Sequence, residues 1–552
     1  MSDLTCDARA FVAGAALTLA AACGGSGEPT TGSGQPVGSG GSVVTGRPVV
    51  VTVAVDQDHA PISPYIYGTN QDAGASFWTV RRDGGNRTTG YNWETNFSNA
   101  GSDYIHNSDL FSLSNAGLPA SDASIPGRAV TNTHDKSVAM GAGTIITLQL
   151  AGYVAADANG PVSVGETAPS ARWVRVAPKK GAPFTVTPDK TDGVVYMDEQ
   201  VNLFVQRYGG AAAAKGVRWY SLDNEPALWA YTHPRIHPQP VGAAELVNKS
   251  VALASAVKAV DPAAEILGPA EYGMSGFYDL QGAPDWPQVK SGFAWYLDYY
   301  LDAMKKAEAT SGKRLLDVLD AHWYPEARGD HRITDGDATS AADATARMQA
   351  PRSLWDASYH ENSWIQQALP AFLPLLPRLK QSIAQYYPGT KLAITEYDYG
   401  ARNTISGGIA QADVLGVFGR EGVYLATIWG IGATDQFALA GFQLYRDYDG
   451  RRGTFGSTNV RASSADVASL SAYASIDGSD SSVLHLILLN KSSEAIAAKL
   501  QLSGGDYSKG DVWGFDGTSA RITARAGITS ITGNAVDYSV SPLTALHLVL
   551  RK

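Results

Sequence analysis

Two glutamates stand where a barrel enzyme would place an acid and a nucleophile. Glu225 follows the apolar run 217–222, and Glu396 directly follows the run 391–395. One carboxyl group can protonate a leaving oxygen while the other attacks carbon or activates water, as hydrolysis of a glycosidic bond requires. Beside the first glutamate, the amide of Asn224 can hydrogen-bond a sugar 2-hydroxyl. Either glutamate alone would be interpreted as a rim residue or an ion-pair partner, so the hypothesis depends on the pairing.

The elements that must position these residues are short strand-like runs, and helices alternate with the later ones. The runs are 66–69, 78–82, 144–150, 217–222, 265–268, 318–323, 391–395 and 423–429. Helical periodicity covers Met197–Tyr208, Ala243–Val260, 293–309 and 365–386. The alternation predicts an α/β fold with parallel strands, and eight strands predict a (β/α)8 TIM barrel. Its active site lies at the carboxyl ends of the strands, the position of both glutamates, with insertions 84–143 and 151–196 on the rim.

The pattern changes after about residue 449 to short alternating runs separated by Gly, Asn and Asp turns. They are 467–477, 483–490, 495–502, 511–515, 522–526 and 545–550, and they predict a C-terminal antiparallel β-sandwich. The run 49–55 precedes the barrel and is expected to add a strand to the C-terminal sandwich. The predicted domains are a signal peptide (1–23), a Gly/Ser-rich linker (24–46), the added strand (47–57), the barrel (58–450) and the sandwich (451–552).

The N-terminus predicts export. Residues 11–22 (FVAGAALTLAAA) are apolar but shorter than the ~20 residues of a membrane span, as in a signal peptide. Cys23 follows them, and the order resembles a bacterial lipoprotein signal, in which that cysteine is lipidated. A plain secretory signal cut near Ala22 is the alternative. We therefore expect an exported protein, either a cell-envelope lipoprotein or a secreted one.

Charge and cysteine content exclude several partners and chemistries. The net charge is −10, from 43 Lys and Arg against 53 Asp and Glu, and no Lys/Arg-rich run is present. Phosphate binding needs a basic surface, so no nucleic acid partner is expected. The only cysteines are Cys6 and Cys23, so the chain after Cys23 can contain no disulfide, no thiol nucleophile and no thiol metal ligand. We expect a monomer that reaches a membrane only through a lipidated N-terminus.

Four longer segments resemble glycoside hydrolase family 44. They are 81–94 (RRDGGNRTTGYNWE), 192–199 (DGVVYMDE), 220–229 (YSLDNEPALW) and 393–400 (AITEYDYG), within a resemblance that spans about 49–552. The resemblance implies endo-acting hydrolysis of β-1,4-glucans, including carboxymethylcellulose and often xyloglucan, with retention of configuration. It implies Glu225 as acid/base and Glu396 as nucleophile. Another retaining barrel glycosidase (a mannanase or xylanase) and a non-catalytic carbohydrate-binding surface lipoprotein remain alternatives.

Further side chains are predicted in the cleft. They are Asn224, Arg87, Trp93, Trp229, His322, Tyr324 and Trp429, and each indole could equally belong to the core. The two carboxyl groups are expected about 5–5.5 Å apart, as in retaining enzymes. The charge of Glu396 is expected to keep Glu225 protonated.

No cofactor is required for this chemistry. A structural Ca2+ is an open expectation near Asp157 and Asn159, whose oxygens are hard ligands. An ordinary Asx turn at these residues is the alternative.

Overall fold

The computed structural model describes residues 44–71 and 74–552. Thr45–Lys552 form one compact unit. The predicted signal peptide, Cys23 and nearly all of the predicted linker lie outside the described residues. Among the described residues, no helix is long and apolar enough to cross a membrane.

The predicted barrel is confirmed. Its strands are β1 (Gly68–Thr69), β2 (Val80–Asp83), β3 (Gly143–Leu148), β4 (Trp219–Leu222), β5 (Glu265–Glu271), β6 (Val318–Trp323), β7 (Lys391–Tyr397) and β8 (Leu425–Ile428), all parallel and closed in chain order. One apolar side chain from each of β2 to β8 meets inside. These are Val80, Ile145, Trp219, Leu267, Val318, Ala393 and Leu425. This layer closes the barrel below the site, so the interior is packed core and only the carboxyl ends of the strands are free to bind a ligand.

Helices surround the barrel with their apolar faces buried. They are Phe111–Asn115, Arg128–Ala139, Met197–Tyr208, Trp229–Thr232, Ala243–Val260, Met274–Asp279, Trp286–Val289, Tyr296–Ser311, Ala341–Gln349, Trp364–Ala368, Leu375–Tyr386, Ile405–Arg420 and Gln436–Arg446. The single helix predicted over 365–386 is wrong. Pro370 and Pro374 lie inside that range, where proline removes a backbone donor and clashes with the preceding turn, so two helices form instead.

The two predicted rim insertions contain small sheets of their own. One consists of Ser98–Asn99, Asn107–Asp109 and Gly160–Pro161, and the other of Tyr153–Ala155, Trp173–Ala177 and Val194–Tyr196. These sheets build up the loops that follow β2 and β3, on the same end of the barrel as Glu225 and Glu396.

A separate, mainly antiparallel sheet domain follows the barrel, as predicted. Its strands are Arg47–Ala54, Ala60–Pro61, Thr458–Ser464, Leu470–Asp477, Asp480–Asn490, Ile496–Ser503, Lys509–Asp516, Ser519–Ala524, Ala535–Val540 and Thr544–Arg551. Arg47–Ala54 pairs antiparallel with Thr458–Ser464 and parallel with Ile496–Ser503. Thr458–Ser464 and Ala535–Val540 were not predicted, because few of their side chains are buried and their apolar alternation is weak.

A buried polar cluster joins this domain to the barrel. Tyr473 donates to Asp413 Oδ1 at 2.7 Å, and Lys491 Nζ lies 3.3 Å from Asp413 Oδ2. Asp413 belongs to the helix Ile405–Arg420, which packs on the barrel. Because all three groups are buried and partnered, the contact fixes the orientation of the two domains.

Candidate active site

Glu225 and Glu396 face each other at the carboxyl ends of β4 and β7. His322, at the end of β6, lies between them: its Nδ1 is 2.9 Å from Glu225 Oε1 and 3.6 Å from Glu396 Oε2. One oxygen of each carboxyl group and this nitrogen all lie within 4.8 Å of one another. A sugar-sized group placed above them would therefore meet both carboxyl groups at once.

Two donors contact the carboxyl group of Glu396. Arg82, the third residue of β2, places Nη1 2.6 Å from Glu396 Oε1, and the Tyr324 hydroxyl donates to Glu396 Oε2 at 2.7 Å. The second guanidinium nitrogen of Arg82 donates to Asn224 Oδ1 at 2.8 Å. Arg82 is buried, so its charge is poorly screened by water. One guanidinium thus fixes the carboxylate on one strand and the amide beside the acid on another.

Glu225 is a carboxyl group whose surroundings favour the protonated form. Burial raises the pKa of Glu225 to about 7, although the charge of Arg82 opposes the shift. The prediction that the charge of Glu396 would do this is corrected: burial is the main cause, and the charge of Asp103 on the rim adds to it. The side chain of Glu225 stays 17% exposed against 5% for Glu396. That exposure gives a leaving group or water access to Glu225.

The backbone that carries Glu225 is strained and held in place. Asp223 and Glu225 have φ of 64° and 46°, a region that non-glycine residues rarely occupy. The buried carboxylate of Asp223 accepts hydrogen bonds from the Thr89 hydroxyl and from three backbone N–H groups. The Glu225 N–H donates to Ala270 O at 2.9 Å. These bonds offset the strain and point Asn224 and Glu225 into the cleft.

Gly84 and Gly85 are required by close approach. A Cβ on Gly84 would lie 2.4 Å from the Arg82 guanidinium, and one on Gly85 would lie 2.2 Å from the Trp429 ring. Gly85 also has φ of 91°, and its N–H donates to Asn224 Oδ1 at 3.2 Å. The half-buried indole of Trp429 therefore lies against the loop that holds Asn224.

The predicted site residues have three different outcomes. Asn224, His322, Tyr324 and Trp429 are brought together with the two glutamates. Trp93 and Trp229 are fully buried, so the prediction that they line the cleft is wrong. Their indoles follow strands, as cleft residues would, but fill the core beneath the rim loops. For Arg87, cleft contact stays a prediction, because its guanidinium is engaged by Asp109 and by the Phe111 ring.

Two residues that hold the site were not singled out from the sequence. Arg82 pairs with Glu396, and Asp223 holds the backbone before Glu225. The available signal was position: an arginine inside a buried strand and an aspartate next to the acid. Neither position shows which partner such a side chain meets, because the partners lie on other strands.

The segment with Asp157 and Asn159, where a structural Ca2+ was an open expectation, has the hydrogen bonds of an Asx turn. Asp157 Oδ1 accepts the Asn159 N–H at 2.9 Å, and Asp157 Oδ2 pairs with Arg172 at 2.8 Å. Both oxygens thus accept from protein donors as in an Asx turn, and calcium binding there stays a prediction. Among the described residues, only Glu225, His322 and Glu396 form a His/acid group of metal-binding size.

A parallel eight-stranded barrel with two glutamates that face each other at its strand ends is the arrangement typical of glycoside hydrolases of the barrel type. Comparison with known proteins agrees. The family model described as Glycoside hydrolase family 44 matches residues 97–327. Endoglucanase A of Paenibacillus lautus is 54% identical over 91% of this chain and 72% of that protein. The chain belongs to glycoside hydrolase family 44.

Solved structures show the same fold over nearly the whole chain. A Paenibacillus polymyxa xyloglucanase of the family is 52% identical with a TM-score of 0.90, covering 92% of this chain and 100% of that one. The family endoglucanase Cel44A from Clostridium thermocellum is 55% identical, with the same TM-score and coverage.

Proposed function

We propose that this protein is an exported, retaining endo-β-1,4-glucanase that acts on cellulose-like glucans and xyloglucan. The observation that carries the proposal is the facing pair: Glu225, whose pKa burial raises to about 7, has an oxygen within 4.8 Å of one on Glu396. A spacing of about 5–5.5 Å is typical of retaining enzymes, whereas inverting enzymes need about 6.5–9.5 Å to admit a water.

In the first step, Glu396 attacks the anomeric carbon while Glu225 transfers its proton to the glycosidic oxygen. The bond between that carbon and oxygen breaks, the shortened chain leaves with the proton, and the sugar becomes an ester of Glu396. In the second step, Glu225 takes a proton from water, whose oxygen attacks the same carbon and releases Glu396. Two inversions leave the configuration unchanged.

The charges around the pair suit this sequence. Arg82 and Tyr324 donate to Glu396 and stabilise it as the anion needed for attack. His322 faces both carboxyl groups as a neutral imidazole, because burial lowers its pKa to about 3. Once Glu396 is esterified, its negative charge is gone, so the Arg82 charge acts on Glu225 without that counter-charge and favours its ionisation to the base.

The substrate class is inferred from the relatives and the rim. The relatives are named endoglucanase and xyloglucanase, and one structure of the latter is described with xyloglucan. Tyr104, Tyr231 and Trp364 have exposed side chains in segments that follow β2, β4 and β6. Aromatic faces of this kind suit the apolar faces of β-linked sugars. The net charge of −10 favours neutral over acidic polysaccharides at low salt.

Two measurements test the proposal. Proton NMR of cello-oligosaccharide hydrolysis should show the β-anomer forming first, and an α-anomer would refute the retaining mechanism. Reducing-sugar release should be greatest on β-1,4-glucans and xyloglucan, with oligosaccharides as early products. Greater activity on mannan or xylan would favour the alternative barrel glycosidases, and no activity on any glycan would favour a carbohydrate-binding role.

Export and anchoring form a separate part of the proposal, supported by the apolar run 11–22 and by Cys23. Several acyl chains on one cysteine would hold the protein at a membrane, whereas one chain alone binds weakly. Cys23→Ser should move the protein from the membrane fraction to the soluble fraction with unchanged activity. Wild-type protein found wholly soluble outside the cell would leave plain secretion.

A further inference from the structure

Strand β7, which carries Glu396, contains one residue more than its neighbours. Ala321 of β6 pairs with Ile394, but the next residue, His322, pairs with Glu396. Thr395 therefore has no partner on β6. A shift at the same place appears on the other side, where β8 also runs out of register with β7. Thr395 is thus the extra residue of a β-bulge, immediately before the nucleophile.

The bulge decides which way Glu396 points. Ala393 faces the barrel interior, together with Val318 of the adjacent strand. In a regular strand, side chains alternate, so Thr395 would face inward and Glu396 outward, away from the site. The extra residue breaks this alternation, so that Glu396 faces inward as Thr395 does and reaches Arg82 inside the barrel.

Buried hydrogen bonds hold the bulge. The Thr395 hydroxyl donates to both oxygens of Asp320, at 2.8 and 2.9 Å. The Thr395 carbonyl accepts from Asn70 Nδ2 at 2.9 Å and from the Thr427 hydroxyl. Thr395, Asp320 and Thr427 have no solvent exposure. No water can replace these bonds, so their loss leaves polar groups unsatisfied.

The same network includes the cation of the site. Asn70, which holds the Thr395 carbonyl, accepts a hydrogen bond from Arg82 Nη1 at 3.1 Å. Asp320 is buried in the same interior, where its carboxyl group accepts from Thr395. The Arg82 guanidinium donates to Glu396 and Asn224. The bulge therefore positions the backbone of Glu396, and Arg82 positions its carboxylate.

We propose that the Thr395 hydroxyl and the Asp320 carboxyl group form a positioning pair that holds the β7 bulge and thereby aims the nucleophile Glu396. The inference rests on the proposed function, since it concerns attack by Glu396. Neither residue touches the substrate. Their effect is on the glycosylation step, because a misplacement of about 1 Å at a reacting group can cost roughly 10²-fold in rate.

The test follows covalent labelling of Glu396 by 2,4-dinitrophenyl 2-deoxy-2-fluoro-β-cellobioside, which forms the glycosyl-enzyme and hydrolyses slowly. Intact mass and peptide mapping give the labelled residue, and inactivation kinetics give the binding constant and the labelling rate separately. Thr395→Val removes the hydroxyl at nearly constant shape. It should lower the labelling rate by about 10²-fold and leave the binding constant unchanged. Thr395→Ser should restore the rate to within a few-fold.

Thr144→Val is the matched control, because Thr144 is a buried threonine on β3 whose hydroxyl bonds His134 at 2.9 Å, away from the site. It should melt earlier, as Thr395→Val should, but label at the wild-type rate. Equal slowing in both variants would mean a general loss of structure and overturn the inference. If Thr395→Val is not recovered folded, Thr395→Ala carries the same expectation.

The outcomes separate the inference from the function beneath it. If the wild type is labelled at Glu396 and folded Thr395→Val is labelled as fast, the positioning role is wrong and the glycosidase function stands. If the serine variant labels as slowly as the valine variant, the hydroxyl is not the anchor, and the inference fails. If the wild type is never labelled at Glu396, the proposed function and the inference fail together.

Discussion

The two ends of the barrel surround a half-buried glutamate in opposite ways. Glu265 opens β5 at the amino ends of the strands, where Arg218 and Lys391 pair with it at 2.6 and 3.0 Å and Tyr424 donates to it at 2.9 Å. Burial alone would raise its pKa, but these donors outweigh burial and hold the pKa below the ordinary value of 4.5. Glu265 is therefore an anion whose charge is balanced.

At the carboxyl ends of the strands, Glu225 is surrounded differently. A neutral imidazole, His322, faces it, and Arg82, the cation that lowers its pKa, is bonded to Glu396. The pKa of Glu225 is accordingly raised to about 7. The difference teaches that burial alone does not mark a functional carboxyl group. A functional carboxyl group is marked by burial at a place where too few cations are present to balance all the carboxyl groups. One of these groups then keeps a proton that it can transfer.

Removing the nucleophile should have the largest effect. Glu396→Ala should lower kcat by roughly 10⁵-fold or more on glucans and on aryl cellobiosides alike, because no covalent intermediate can form. Azide should then react directly and give the α-azide, which NMR identifies. Wild-type rates on glucan in this variant would refute the assignment of Glu396.

Removing the acid should have a smaller effect that depends on the leaving group. Glu225→Ala should lose about 10²–10⁴-fold on glucan, whose leaving alkoxide needs a proton, but should still be glycosylated by a dinitrophenyl cellobioside. Azide should restore turnover and give the β-azide, because it needs no base. Equal loss on both substrates without azide rescue would contradict the acid/base role.

The pH profile should report the same carboxyl group. Glu225 must be protonated to act as the acid, so kcat/KM should be full below its pKa and fall as pH rises through about 7. Initial rates on cello-oligosaccharides between pH 5 and 9 measure this limb. In Glu225→Ala with azide and an aryl cellobioside, the limb near 7 should disappear, and its persistence would assign it to another group.

The smallest expected effect is at the opposite end of the barrel. Glu265→Gln should leave kcat unchanged and lower the free energy of unfolding by only ~1–2 kcal/mol, because Arg218 and Lys391 are about 40% exposed and screened by water. Glu265 has a lowered pKa in the folded state, so its contribution is present above pH 4.5 and is lost as pH falls through the folded value. Urea unfolding at pH 7 and pH 3 measures the loss of unfolding free energy and its pH dependence. A change in kcat comparable to that of Glu225→Ala would remove the contrast between the two ends.

The sequence by itself determined the architecture and predicted the pair proposed to react. Eight short apolar runs with helices between the later ones predict a parallel barrel, because the periodicities of strands and helices are local properties. Since barrel chemistry lies at strand ends, Glu225 and Glu396 could be recognised from position alone. The indoles of Trp93 and Trp229 could not be assigned in this way. A residue that follows a strand lies near the rim, but its position in the sequence does not show whether its side chain faces the cleft or the core.

Only the tertiary structure decided how the pair is held and charged. Arg82 is one of two adjacent arginines in its strand, and nothing local shows that it meets Glu396 from across the barrel. The direction of Glu396 depends on the bulge at Thr395, which exists only relative to the strands on either side. Register and charge balance are properties of neighbours brought together by folding. The residues proposed to react could therefore be predicted from the sequence, whereas the residues that hold them in place could not.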